Sequence, residues 1–118
     1  MLTTIVIDDE PDMVEVISDF LEISNFKVIG KGFNGKDAVE LYQKHRSDFV
    51  LLDMMMPLYD GFYAITEIRK VDPNAKIIAV TADYRIETTR KLSEINVKIL
   101  HKPFEIESFM KICSMQVD

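Results

Sequence analysis

Four carboxylates fall within five residues near the start of the chain, in Asp8-Asp9-Glu10-Pro11-Asp12. Like charges that close repel unless something neutralises them. Part of the cluster has a structural use. Asp9 or Glu10 can cap a helix whose first residue is Pro11, and the dipole of that helix favours Glu10 and Asp12 nearby. Capping does not need both Asp8 and Asp9, and the surplus asks for a cation. A further carboxylate, Asp53, ends the apolar run Phe49-Val50-Leu51-Leu52, with Pro57 four residues on. A hydroxyl, Thr81, and an ammonium, Lys102, follow two other apolar runs. Taken singly these are ordinary: a loop acid, a β-branched strand residue and a surface lysine. Together, three carboxylates make a hard-oxygen site suited to Mg²⁺ with several waters retained. A carboxylate can attack phosphorus, and a hydroxyl and an ammonium can hold the phosphoryl oxygens.

Their meeting depends on the elements that carry them. Thr4-Ile5-Val6-Ile7 is a short β-branched strand running into the acidic cluster. Met13, Val14, Val16, Ile17, Phe20, Leu21 and Ile23 recur at helical spacing and give a broad apolar face from about Pro11 to Ser24, with Asn25 as the stop. Phe26 to Gly30 is a second strand. Gly35 to Lys44 is a second helix with Ala38, Val39, Leu41 and Tyr42 inward. Phe49 to Leu52, uninterrupted and bounded by a breaker, reads as a strand buried on both faces. A third helix, marked by Phe62, Ile65 and Ile68, runs to about Val71, and Asp72-Pro73-Asn74 breaks it. Lys76 to Val80 is a fourth buried strand ending at Thr81. A fourth helix, roughly Arg85 to Ile95, has a thin apolar face of Ile86, Leu92 and Ile95. Val97 to Leu100 is a fifth strand, and a last helix spans about Glu105 to Met115.

Strand and helix alternate five times, which predicts an α/β fold with a parallel sheet and helices on both faces. Five strands match the flavodoxin-like order 2-1-3-4-5, in which strands one and three are neighbours and ligands bind at the carboxyl ends. Asp8, Asp9 and Asp53 then share one edge, with Thr81 and Lys102 beside them.

Composition sets the outer bounds. The chain has 118 residues, 47% of them hydrophobic and 29% charged, which suits one globular domain, here 1–118. A net charge of −6 without a basic cluster argues against direct nucleic-acid binding by this segment. Cys113 is the one cysteine, so no internal disulfide can form, as befits a reducing compartment. No apolar run reaches the roughly 18–20 residues of a membrane span, and Met1-Leu2-Thr3-Thr4 does not resemble a signal peptide. A cytoplasmic location is expected.

With these residues in place the chain resembles, over essentially its whole length, the receiver domains of two-component response regulators. The matching elements are Asp8-Asp9, Asp53 with Pro57 and Asp60-Gly61 behind it, Thr81-Ala82, and Lys102-Pro103-Phe104. The resemblance implies that Asp53 accepts a phosphoryl group from a sensor histidine kinase, a phosphotransfer protein or a small phosphodonor. Asp8, Asp9, Asp53 and the backbone carbonyl of Met55 would hold Mg²⁺, with Mn²⁺ as an alternative. Thr81 would bind a phosphoryl oxygen and move with it. Lys102 would pair with Asp53 and then with the phosphoryl group. A cis peptide is expected before Pro103, which proline makes accessible. The chain would be a signalling phosphoacceptor, not a true enzyme, with self-catalysed transfer and slow autodephosphorylation. It would act through the face of the fourth helix, fifth strand and last helix on a downstream protein or a fused output domain, as a monomer or a phosphorylation-dependent dimer. No output domain is expected within the chain itself.

Two departures from the family pattern bear on switching. The position three residues before Lys102, commonly Tyr or Phe, is Ile99, and Tyr84 is the candidate steric substitute. His101 precedes Lys102 and reads as a strand-end residue partly in solvent. Met55 and Asp83 flank the site; Asp83 can orient a water by hydrogen bonding and Met55 cannot, which predicts modest autodephosphorylation. A phosphohydrolase of the haloacid dehalogenase type, with Asp8 as nucleophile and Glu10 as an imperfect acid/base, is the alternative. It leaves Asp53 without a role, and the chain is short for such a core and cap.

Overall fold

The computed structural model describes the backbone of residues 1–116 and side chains through Ser114, so the last two residues of the expected 1–118 domain lie outside the described residues. The elements alternate throughout: β1 (Thr3–Ile7), α1 (Pro11–Ile23), β2 (Lys27–Gly32), α2 (Gly35–His45), β3 (Phe49–Asp53), α3 (Gly61–Val71), β4 (Ile77–Thr81), α4 (Ile86–Glu94), β5 (Lys98–His101) and α5 (Ile106–Gln116). All four strand pairings are parallel, in the order β2-β1-β3-β4-β5. This is the order expected from the sequence. The boundaries shift by one or two residues, the usual scatter at element ends.

Between Thr3-Thr4 at the start of β1 and Asp53 and Thr81 at the ends of β3 and β4, the three inner strands are apolar because each face of the sheet has its own core. Ile5 and Ile7, Val50 and Leu52, and Ile77 and Ala79 point to the side covered by Ala38, Tyr42, Ala64, Ile65, Ile68 and Leu92 of α2, α3 and α4. The alternate residues, Val6, Phe49, Leu51, Ile78, Val80 and Leu100, meet Val14, Ile17 and Leu21 of α1 and Phe109 and Cys113 of α5. Side chains alternate across a strand, so a strand buried on both sides reads as a near-continuous apolar run. Each fully buried aliphatic side chain contributes roughly 1.5–3 kcal/mol. β1 leads into α1 on one face and β3 into α3 on the other, so a crevice opens between the ends of these neighbouring strands.

Two expected helix faces need correction. On α1, Met13, Val16, Phe20 and Ile23 stand exposed, Phe20 by 57%, while Val14, Ile17 and Leu21 are buried. A helix lying on a sheet covers only one stripe of itself, and the seven apolar residues are wider than that stripe. On α4, Leu92 is buried, but Ile86 is 81% exposed and Ile95 also lies open. One anchoring residue holds this helix.

Local signals end the helices where the chain must turn. Asn34 and Asp60 cap α2 and α3 by accepting from the N–H of Asp37 and Tyr63. Pro11 begins α1 as expected, but Glu10 at its cap makes no side-chain bond. Asn25 and Arg46, after α1 and α2, are left-handed. Gly35 is required where it stands, because a Cβ there would collide with the carbonyl oxygens of Tyr59 and Asp60. Its N–H donates to Tyr59 O at 2.6 Å, tying the start of α2 to the loop behind β3.

Candidate phosphoacceptor site

The register of the sheet builds the pocket. Ile7 of β1 lies opposite Leu52 of β3, so one residue further on Asp8 and Asp53 emerge side by side. Both are buried, at 2% and 4% exposure. Asp9 is less buried, and carboxylate oxygens of Asp8, Asp9 and Asp53 all lie within 4.8 Å of one another. Asp53 pairs with Val80, and Thr81 with His101, which sets Thr81 and Lys102 along the same edge. The structure thus brings Asp8, Asp9, Asp53 and Lys102 into one pocket and puts Thr81 at the next strand end.

Each acid has defined partners. Asp8 Oδ1 accepts from the N–H of Glu10 at 3.0 Å, and Asp8 Oδ2 lies 3.2 Å from Lys102 Nζ. Lys102 Nζ is 3.5 Å from Asp53 Oδ1, an oxygen that also accepts from the Met55 N–H at 3.3 Å. Burial, then the charge of Asp8, pushes the Asp53 carboxyl up to about 6, against the opposing pull of Lys102. Burial works against the charge of Lys102, but Asp53 and Asp8 prevail and hold its pKa above the ordinary value. One ammonium therefore serves two buried carboxylates and a third nearby, and the pocket is short of positive charge. An all-oxygen set with that deficit fits a hard divalent cation.

Thr81 is buried, and its hydroxyl accepts from the N–H of Asp83 at 3.0 Å. Asp83, expected to orient a water, spends its carboxylate on the start of α4. It accepts from the Arg85 N–H at 2.9 Å, the Arg85 guanidinium at 2.8 Å and the Thr88 hydroxyl at 2.8 Å. The Arg85 side-chain hydrogen bond, above all, holds this carboxyl well below the usual range. Arg85, at the N-cap position of α4, has no side-chain cap of its own, and the spacing of the sequence does not reveal these Asp83 partners.

Ile99 is half-buried against the α2–α4 core. Tyr84, largely exposed, lays its ring flat on the imidazole of His101, with centroids 4.1 Å apart and planes 9° from parallel. Its hydroxyl reaches the Lys102 carbonyl oxygen at 3.4 Å. The peptide between Lys102 and Pro103 is cis. Beside Lys102 runs an apolar cavity of about 680 Å³, lined chiefly by Met13, Val16 and Phe20 of α1 and by Pro103, Phe104 and Ile106. The helical spacing assigns those α1 residues to the core, whereas they line this groove.

The geometry gives the alternative nucleophile, Asp8, poor prospects. Its two oxygens are held by the Glu10 N–H and by Lys102, and Asp53 shares its pocket.

Comparison with known proteins agrees. The family model described as response regulator receiver domain matches residues 4–114. A probable C4-dicarboxylate response regulator, DctR, of Priestia megaterium is 37% identical over 89% of this chain and 47% of its own length. The chemotaxis protein CheY of Thermotoga maritima is 40% identical over 66% of this chain and 65% of its own. The chain thus spans about half to two thirds of these relatives. Among solved structures, a DNA-binding response regulator of the LuxR family from Staphylococcus aureus superposes with a TM-score of 0.90, covering 100% of both chains at 24% identity, a likeness of fold. The dehalogenase-type alternative finds no support among these matches.

Proposed function

The chain belongs to the response regulator receiver domain family, a family of two-component signalling proteins, and we propose that Asp53 is its phosphoacceptor. The observation that carries this reading is the position of Asp53: buried at a strand end, beside Asp8, and 3.5 Å from the ammonium of Lys102. A carboxylate oxygen of Asp53 attacks the phosphorus of a phosphohistidine or a small acyl phosphate. The new P–O bond forms as the bond to the leaving imidazole or carboxylate breaks, and the leaving group departs with the old bonding pair. Lys102 is placed to follow the charge onto the transferred oxygens, and the Met55 N–H steadies the oxygen that does not react. Thr81 supplies a hydroxyl on the adjacent strand. Mg²⁺, held by Asp8, Asp9 and Asp53 with Met55 O, would neutralise the crowded acids and the incoming phosphoryl oxygens; Mn²⁺ suits the same oxygens.

The partner that donates the phosphoryl group is a sensor histidine kinase or a phosphotransfer protein, and the apolar groove beside Lys102 is where such a protein would lie. A phosphohistidine must reach Asp53 past Lys102, and the exposed side chains of α1 flank that approach. Output then passes to a downstream protein or a fused domain through α4, β5 and α5, in a monomer or a phosphorylation-dependent dimer, with a cytoplasmic location. Among the described residues no helix is long and apolar enough to cross a membrane.

The test is direct. The chain is incubated with acetyl phosphate and Mg²⁺ and weighed intact, beside Asp53→Asn. A single hydroxylamine-labile phosphoryl group that needs Mg²⁺ and is absent from the variant is the expected result. Labelling that survives in the variant overturns the assignment.

A further inference from the structure

Thr81 and Lys102, which end neighbouring strands at the pocket, are joined outside it by a closed ring of contacts. Thr81 Oγ1 accepts from the Asp83 N–H at 3.0 Å. The next residue, Tyr84, stacks on His101 and directs its hydroxyl to the Lys102 carbonyl. The ring closes where the Lys102 N–H donates to Thr81 O at 2.9 Å. A displacement of either Thr81 or Lys102 toward Asp53 is therefore felt at the Tyr84–His101 stack.

Three features leave this stack weakly held. Tyr84 is 66% exposed, so the stack, and not a surrounding core, holds its ring. His101 Nε2 is buried with no hydrogen-bond partner among the described residues, so the closed arrangement carries an unmet polar group that opening would hydrate. The phenol-to-carbonyl bond, at 3.4 Å, is at the limit of a hydrogen bond. Parallel aromatic stacking favours the closed state modestly, and a modest bias can reverse it. Strand periodicity puts His101 on the same face of β5 as Ile99, which is aliphatic and packed into the core. The stacked pair is thus the aromatic contact on that face of β5.

We propose that the Tyr84–His101 stack is a latch that is closed in the unmodified chain and opens when a phosphoryl group on Asp53 draws in Thr81 and Lys102. Because Asp83, which holds Arg85 and Thr88 at the start of α4, lies between Thr81 and Tyr84, opening also loosens the first turn of that helix. This deepens the phosphoacceptor reading and rests on it.

The chain holds two histidines, His45 and His101, so the carbon-bound ring protons report the latch with an internal control. At fixed pH, the His101 ring protons stand upfield in the unmodified chain through the ring current of Tyr84. Acetyl phosphate and Mg²⁺ are added, and phosphorylation is read separately by intact mass. Expected is loss of the upfield shift at His101 with His45 unmoved. Tyr84→Phe keeps the ring and the response. Tyr84→Leu still takes a phosphoryl group, but its His101 protons start downfield and no longer respond. A phosphorylated chain whose His101 signals stay in place overturns the latch and leaves the phosphoacceptor reading standing, as do equal shifts at His45 and His101. A chain that takes no phosphoryl group at Asp53 overturns that reading and the latch with it.

Discussion

Asp8 and Asp53 share a single counter-charge: the Lys102 ammonium lies 3.2 Å from an oxygen of the first and 3.5 Å from one of the second. Two buried acids on adjacent strand ends with one cation between them leave the pocket under electrostatic tension, and that tension has measurable consequences.

The first concerns pH. Burial and then Asp8 raise the Asp53 carboxyl from 3.8 to about 6. A group with a raised folded pKa contributes stability that is full below its unfolded pKa and lost as pH rises through its folded one. Without divalent metal, Asp53→Asn should therefore be more stable than the parent at pH 7, by up to about 3 kcal/mol for a shift near two units. The advantage should shrink through pH 6 and vanish near pH 4. Denaturant melts at several pH values check this; an advantage that grows on acidification contradicts it.

Removing the shared cation should separate binding from chemistry. Lys102→Met deletes a positive charge beside the candidate metal ligands, so Mg²⁺ should bind more tightly, on the order of tenfold. Labelling by acetyl phosphate should slow by about tenfold or more, since the transferred oxygens lose their ammonium. Calorimetric titration with Mg²⁺ and timed intact-mass measurements give the two numbers independently.

The groove between α1 and α5 should matter only for a protein donor. Phe20→Ala removes an exposed ring from its wall. Transfer from a phosphohistidine protein should fall severalfold while labelling by acetyl phosphate is unchanged. Equal losses with both donors would place the effect inside the pocket.

The exposures of Leu92 and Ile86 predict unequal anchoring of α4. Leu92→Ala should cost about 2–5 kcal/mol as a buried deletion. Ile86→Ala, at 81% exposure, should stay within about 0.5 kcal/mol. Chemical denaturation of the two variants decides between this and an α4 that buries both.

The sheet order was legible because strands buried on both faces leave an unbroken apolar signal, as Phe49-Val50-Leu51-Leu52 does. The acids and Lys102 were legible because each follows such a run, and parallel strands bring their ends together. The outer surface of the helices was not. Phe20 and Leu21 are equally apolar on paper, yet one faces a groove and the other the core, and only the crossing of α1 over the sheet separates them. The sequence places Asp83 and Tyr84 beside the pocket, but their partners, Thr88 and His101, are fixed by how α4 and β5 approach, which spacing does not encode.

The contact between Lys102 and Asp8 joins residues 94 positions apart. A nascent chain that has released only β1 to β4 carries every acid of the pocket and none of its counter-charge. The pocket therefore gains its counter-charge only when β5 docks and brings Lys102 beside Asp8 and Asp53. Closing the sheet and balancing the charge of the pocket are in this sense one event.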